Sequence, residues 1–106
     1  MPDDPVERCA EVFKAMGDRT RLSILRSLFG GEMCVTDLAK GLGMDAPRIS
    51  FHLTRLRFAG LVVDQRRGQR VAYRLNPAVC SSDGNGDTQI NLGECMVKFN
   101  YDGAAK

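Results

Sequence analysis

The fold is decided by the segment VTDLAKGLGMDAPRISFHL, which spans residues 35–53. Its apolar spacing predicts a short third helix from about Cys34 to Leu42 and a fourth helix that follows a turn at Gly43. The segment LVVDQRRGQRVAYRL, residues 61–75, then predicts a β-hairpin with arginines around its tip. Helix, turn, helix and basic hairpin in this order are typical of winged helix-turn-helix modules that read duplex DNA.

The fourth helix is expected to be capped by Asp45 and to run to about Ala59, with Pro47 in its first turn. The two strands of the hairpin are expected at about 61–65 and 70–75, around the loop RRGQ. Together with the helices upstream, these elements predict an α+β fold of about four helices and a β-hairpin wing.

Two helices are predicted before this segment. The first opens at Pro5 and ends at Gly17, and the second is capped by Asp18 and ends at the glycine pair 30–31. The residues expected on their apolar sides are Val6, Cys9, Ala10, Phe13 and Met16 in the first helix, and Leu22, Leu25, Leu28 and Phe29, widened by Ile24, in the second.

The charge of the chain is concentrated rather than spread. The formal net charge is only +2, but residues 46–74 contain seven arginines and one acid, which gives +6. The remaining residues contain eight Lys or Arg and twelve Asp or Glu, which gives −4. A basic stretch within a nearly neutral chain indicates a polyanionic partner, and a solvated charged face is the alternative.

The outward side of the fourth helix carries the candidate base-reading residues. Ile49, Leu53 and Leu56 cluster on the side that is expected to pack inward. The opposite side carries Arg48, Phe51, Thr54, Arg55 and Phe58, and Ser50 and His52 lie at its boundary. The DNA-binding candidates on this helix are Arg48, Ser50, Phe51, His52, Thr54 and Arg55. A phenylalanine beside arginines suits a groove, where the ring contacts thymine methyl groups and arginine binds guanine. Contact of Phe51 with another part of the protein is the alternative.

The histidine and the hairpin complete this interface. His52 is the only histidine, and a lone histidine more often forms hydrogen bonds or contacts phosphate than it binds a metal. Arg66, Arg67 and Arg70 lie at or beside the hairpin tip, where they are expected to reach phosphates or a minor groove. An ordinary solubilising loop is the alternative for the hairpin.

The C-terminal part differs in character. The segment from 81 to 87 is a loop by composition, and residues 88–101 are expected to be extended. The alternating parity changes at Gly93, which predicts a β-bulge or a tight bend. We therefore divide the chain into a DNA-binding domain, 5–79, and an extension, 80–106, that is expected to serve dimerisation.

Location and redox state follow from what the sequence lacks. No stretch reaches the roughly 18 apolar residues of a membrane span, and the acidic N-terminus is not that of a signal peptide. A cytoplasmic location without membrane contact is expected. The four cysteines, Cys9, Cys34, Cys80 and Cys95, are then expected to be reduced thiols.

Several motifs resemble the ArsR/SmtB family of winged-helix repressors. AMGDRTRLSIL, residues 15–25, is similar to the family's opening motif, and EMCVTDL, residues 32–38, is similar to its sensing segment. PRISFHL, residues 47–53, is similar to its recognition helix, and GLV, residues 60–62, to the entry of its wing. The resemblance covers roughly residues 5–79. It implies a homodimer that binds an inverted-repeat operator and is released by an effector, often a thiophilic metal or metalloid such as arsenite, cadmium or zinc.

This chain departs from the family pattern at two points. Thr36 stands where the arsenic-type site has its second cysteine, so Cys34 is either a sensing thiol or a small buried residue. Cys9, Cys80 or Cys95 would have to join Cys34 in a thiol site, although their separations match no recognised ligand spacing. The C-terminus is predicted to be a strand instead of the family's long last helix, and it contains no histidine for that helix's zinc site.

Two other function classes compete with a DNA-binding repressor. A winged-helix module for protein interaction, with the C-terminal strand as its binding edge, would not need the concentrated arginines. An enzyme is disfavoured, because a thiol nucleophile needs a base and the only one available, His52, lies on the presumed DNA-binding face. In addition, no phosphate loop, carboxylate pair or HExxH-type motif occurs.

Overall fold

The computed structural model describes residues 4–82 and 86–100, and it has the predicted winged helix-turn-helix architecture. The elements are α1 (Pro5–Met16), α2 (Arg19–Ser27), a 3-10 turn (Leu28–Gly30), β1 (Met33–Cys34), α3 (Val35–Leu42), α4 (Ala46–Phe58), β2 (Val62–Arg67), β3 (Arg70–Leu75), β4 (Cys80–Ser82), β5 (Thr88–Asn91) and β6 (Met96–Phe99). A sheet of order β1-β3-β2 flanks the helices, and a second sheet of order β4-β5-β6 follows it.

The inward face of α1 is rotated from the predicted one. Cys9, Val12 and Met16 are buried, and they lie on one helical stripe. The predicted burial of Cys9 and Met16 is therefore confirmed. The prediction was wrong for three residues outside this stripe. Val6, Ala10 and Phe13 were expected on the apolar side, and all three are exposed.

The start of α2 confirms one predicted cap. The Arg21 backbone N–H donates a hydrogen bond to Asp18 Oδ2 at 3.1 Å, which satisfies one of the helix's free donors. Ile24 and Leu25 are fully buried, whereas Leu22 is 41% exposed and lies outside the core in which it was expected.

The helix-turn-helix differs from prediction in detail. α3 begins at Val35 because Met33 and Cys34 pair as a strand with Tyr73 and Ala72 of β3. Gly43 ends α3 with φ 66°, a left-handed conformation that a residue without a Cβ adopts at little cost.

The helix α4 has the predicted inward face. Ile49, Leu53 and Leu56 are completely inaccessible, as expected. Asp45 occupies the N-cap position, but its side chain makes no capping hydrogen bond, so that part of the prediction was wrong. Pro47 lies in the first turn, where backbone N–H groups have no partner within the helix, so the missing N–H of proline costs no hydrogen bond.

The hairpin is longer and tighter than predicted. Its strands extend to Arg67 and Arg70, which face each other across a two-residue turn of Gly68 and Gln69. Gly68 has φ 67°, whereas no non-glycine residue in the described ranges has a positive φ. A positive φ at the first turn position alone is the pattern of a type II′ turn, so Arg66 lies within a strand rather than in the loop.

The C-terminal strand is in fact part of a small antiparallel sheet. Residues 88–91 and 96–99 form two paired strands, and the chain reverses between them, where the Leu92 N–H donates to the Cys95 carbonyl at 2.9 Å. The shift of parity at Gly93 therefore marks a tight bend. Ile90 and Leu92 pack in the same buried cluster as the helices, so their expected burial is confirmed.

The boundaries of this extension also differ from the prediction. Residues 80–82 form the third strand of the sheet, so the predicted loop does not begin at residue 81. The predicted strand included Tyr101, and this residue lies outside the described ranges. No helix within residues 4–82 and 86–100 is both long enough and apolar enough to cross a bilayer.

Candidate nucleic-acid interface

The outward face of α4 presents an aromatic ring between cations. Phe51 is 53% exposed, and the Arg55 guanidinium carbon lies 4.9 Å from the centroid of its ring. Arg48 and Ser50 are exposed on the same helix, nearer its N-terminus. Because the Phe51 ring lies outside the protein core, this face offers apolar and cationic contacts to a ligand outside the chain.

Two other polar residues of this face are partly committed within the protein. The Thr54 hydroxyl donates to the Ser50 carbonyl at 3.0 Å, one turn earlier in the helix. The side chain of His52 is only 14% exposed, and its Nδ1 lies 3.3 Å from a guanidinium nitrogen of Arg21 and 3.9 Å from Asp18 Oδ2. His52 thus links α4 to the start of α2, and this contact positions the helix.

Asp18 is the acidic centre of that link. The hydrogen bond from the Arg21 backbone N–H holds the pKa of the Asp18 carboxyl below its usual 3.8, and electrostatic interactions with Arg21 and His52 lower this pKa further. The Arg21 side chain also donates to the Ala15 carbonyl at 2.6 Å, so it connects α1, α2 and α4. No sequence pattern signals this connection, because the histidine and the acid are more than 30 residues apart.

The three wing arginines are in different environments. Arg67 makes a two-pronged ion pair with Glu32, through Nε and Nη2 at 2.9 Å each. Arg70 donates to the Thr36 hydroxyl at 3.3 Å, which is near the limit for a hydrogen bond. Arg66 is exposed, and its side chain makes no hydrogen bond or ion pair within residues 4–82 and 86–100. Among the three, Arg66 is therefore the cation most available to an external phosphate.

Glu32 is a partner of the wing that sequence reasoning missed. The hydrogen bond from Arg67 lowers the pKa of the Glu32 carboxyl, and the same interaction raises the pKa of the Arg67 guanidinium. Both groups are charged at neutral pH, and Glu32 competes with any phosphate for Arg67. The two residues are 35 positions apart, so the pair becomes visible only when β1 pairs with β3.

Cys9 and Cys95 are in contact, and Cys34 is not part of this pair. Cys95 contacts Cys9, and that hydrogen bond is the main reason that the pKa of the Cys95 thiol rises to about 11. Cys34 is half-buried, pairs with Ala72 of β3, and lies near the Arg67 guanidinium. Cys80 is buried against the Leu61 carbonyl, and burial raises its pKa to about 11 as well.

Within the described part of the chain, no three His, Cys, Asp or Glu side chains are close enough together to hold a metal ion. A three-thiol site that includes Cys34 is therefore not formed by these residues as they stand. The thiols of Cys80 and Cys95 are protonated at neutral pH, which makes them slow nucleophiles.

A helix-turn-helix with an exposed aromatic recognition face and a basic hairpin defines a winged-helix protein of the DNA-binding type. Residues 18–63 match the family described as "Bacterial regulatory protein, arsR family". The solved homodimeric winged helix-turn-helix DNA-binding domain Mb0332 from Mycobacterium bovis has a TM-score of 0.66 and 36% identity, over 69% of this chain and 68% of that chain. The present chain belongs to the arsR family.

Two curated relatives support this assignment. The chain is 45% identical over 75 residues to the HTH-type transcriptional regulator KmtR of Mycobacterium tuberculosis, which covers 71% of this chain and 58% of KmtR. It is 44% identical over 70 residues to the arsenical resistance operon repressor of Escherichia coli, which covers 65% of this chain and 60% of the repressor. The match thus spans less than two thirds of either relative.

Proposed function

We propose that this chain is a sequence-specific DNA-binding repressor that acts as a homodimer on an inverted-repeat operator. The observation that carries the proposal is the exposed ring of Phe51, which lies beside Arg55 and one turn from Arg48 on α4. In the major groove these groups would contact thymine methyl groups and guanine edges. Ser50 and Thr54 would add hydrogen bonds, and His52 would hold the helix in place.

The wing would contact the DNA backbone. Arg66 would bind phosphate directly, while Arg67 and Arg70 would first exchange their interactions with Glu32 and Thr36. Because phosphate contacts release counterions, binding should weaken steeply as salt increases. A DNA-binding repressor acts in the compartment that contains its operator DNA, so we expect this protein in the cytoplasm.

The dimer would use surfaces away from α4. Val6 and Phe13 are exposed on α1, and Met96 is 54% exposed on β6. An apolar contact between two copies would cover such residues and produce the two-fold symmetry that an inverted repeat requires. In this proposal residues 5–79 bind DNA and residues 80–106 contribute to the dimer.

Selection of bound duplexes from a random pool tests the proposal. The parent should enrich an inverted repeat whose half-sites lie roughly 10 base pairs apart or a multiple of this. Phe51→Ala should relax one or two positions of the consensus, whereas Phe58→Ala, which removes an even more exposed ring from the end of the same helix, should leave it unchanged. A consensus that is identical in the parent and Phe51→Ala would contradict the proposed reading.

Release from DNA would begin at Cys34 in this proposal. Cys34 immediately precedes α3 and lies near Arg67, so a thiophilic metal, a metalloid or an oxidant that modifies Cys34 would disturb the wing. Release requires that the effector bind the weakly binding conformation more tightly than the DNA-bound one. Cys9 or Cys95 would supply further ligands after rearrangement or from the second copy, whereas Cys80 is buried and is not expected to take part.

A gel-shift titration with arsenite, cadmium, zinc and a mild oxidant tests the role of Cys34. Release by one reagent in the parent should be abolished in Cys34→Ser and retained in Cys80→Ser, because Cys80 is buried and protonated. Release that survives in Cys34→Ser would exclude Cys34 as the sensor. It would then direct attention to the contacting pair Cys9 and Cys95.

A further inference from the structure

A cleft of about 820 Å³ opens between α1, the end of α4 and the segment that follows β3. Its apolar lining comes from separate parts of the chain and includes Val12, Phe58, Val79 and Leu92. Phe58 is 72% exposed, so its ring is a wall of the cleft and not part of the core. This volume lies within the range of roughly 300–1,000 Å³ that is usual for small-molecule sites.

The lining of the cleft is positively charged. Its cations are Arg8, Lys14, Arg21 and Arg55, and Glu11 is its single acid, so the lining has a net charge of +3. Lys14 lies 3.9 Å from Glu11 in an exposed pair that offsets one cation. An anionic ligand is therefore favoured over a neutral or cationic one.

The remaining cations differ in how free they are. The Arg21 guanidinium is held by Ala15 and His52. Arg8 makes no side-chain hydrogen bond or ion pair within the described ranges. Arg55 lies against the Phe51 ring, and its side chain makes no hydrogen bond within the same ranges. Two guanidinium groups therefore have unused hydrogen-bond donors beside an apolar pocket.

The cleft is separate from the proposed dimer surface. At 100° per residue, Arg8, Glu11 and Ala15 lie on one flank of the buried stripe of α1, and Val6 and Phe13 lie on the opposite flank. The cleft also differs in chemistry from a phosphate-binding surface. The phosphates of a DNA backbone would make no favourable contact with Val12, Val79 and Leu92, the apolar residues that line the cleft.

We propose that this cleft binds a small amphipathic carboxylate, namely an aromatic or medium-chain aliphatic acid. Its apolar body would lie against Phe58 and Val12, and its carboxylate would bind the guanidinium groups of Arg8 and Arg55. Arginine suits this role because its planar donors match the two oxygens of a carboxylate. The site goes beyond the proposed function but shares Arg55 with the proposed DNA-binding face of α4, so it is tested without DNA.

Titration calorimetry with 2-naphthoate, 2-naphthamide and 2-naphthylmethylamine tests the charge preference. The acid should bind, and the uncharged and cationic analogues of similar shape should bind at least roughly tenfold more weakly. The double variant Arg8→Gln/Arg55→Gln should weaken 2-naphthoate binding roughly tenfold, as expected when two partly exposed ion pairs are removed. The control Arg19→Gln/Arg74→Gln removes the same charge outside the cleft and should bind like the parent.

Amide NMR during the same titration tests the location. The largest shifts should fall in residues 8–15, 55–60 and 76–79. Equal binding of all three compounds, equal weakening in both double variants, or shifts centred on Val6 and Phe13 would each overturn the proposal. Absence of 2-naphthoate binding at millimolar concentration would overturn it too.

Discussion

The contrast between Arg66 and Arg67 gives a quantitative prediction for DNA binding. The Arg66 side chain has no hydrogen bond or ion pair in the described part of the chain, whereas Glu32 holds the Arg67 side chain through two hydrogen bonds of 2.9 Å. Each arginine–phosphate interaction contributes about 0.9 to the slope of log K against log salt. Relative to 1 M salt, a slope of about 0.9 increases the affinity at 0.15 M salt roughly fivefold. A dimer carries Arg66 twice, so its removal amounts to roughly thirtyfold in affinity and about 1.8 in slope.

We therefore expect Arg66→Ala to show this full effect and Arg67→Ala to show a smaller one. Glu32→Gln should increase affinity and steepen the salt dependence, because it releases the Arg67 guanidinium to phosphate. Fluorescence anisotropy of a labelled duplex, measured at several salt concentrations, gives both quantities. Lys14→Ala is the matched control, since it removes an exposed cation on α1. An Arg67→Ala variant as damaged as Arg66→Ala, together with an unchanged Glu32→Gln, would refute this reasoning.

Base recognition, helix capping and dimerisation each have a direct test. Arg48→Ala should relax discrimination at one or two base pairs by about 1–3 kcal/mol each, as read from competition with substituted duplexes. Asp18→Ala should cost about 1 kcal/mol of unfolding free energy in urea titrations, whereas Asp18→Asn should cost less because asparagine also caps helices. The charged Asp18 carboxylate stabilises the folded state fully above its unfolded pKa near 3.8, and this stabilisation is lost as the pH falls through the lower folded pKa. Only the parent should therefore show this pH-dependent part of the unfolding free energy. A chain ending at Val79 should dissociate or become insoluble in sedimentation experiments, because it removes Ile90 and Leu92 from the core; a stable, DNA-competent dimer would contradict this.

The elements with strong periodicity were predictable from the sequence. Ile49, Leu53 and Leu56 recur at helical spacing, and all three are buried as expected. For α1, the same reasoning put Val6 and Phe13 in the core, since periodicity identifies a stripe but not its limits. The bend at Gly93 was detectable, whereas the partner strand β4 was not, because three residues carry little pattern.

The candidate site was predictable only as a set of side chains. The residue types on α4 and in the wing identified the candidates, but their mutual interactions depend on the tertiary fold. Glu32 reaches Arg67 through the pairing of β1 with β3, and His52 reaches Asp18 through the packing of α4 on α2. Likewise, only the fold brings together the thiols at positions 9 and 95, which are far apart in the sequence.

The central claim is that the exposed face of α4 and the tip of the wing contact DNA. Amide and guanidinium NMR of the labelled protein, titrated with a duplex from the selection, tests this claim directly. We predict the largest perturbations at Arg48, Phe51, Arg55 and Arg66, with small ones in the C-terminal strands β5 and β6. Perturbations centred on β5, β6 or α1, with an unchanged α4, would contradict it.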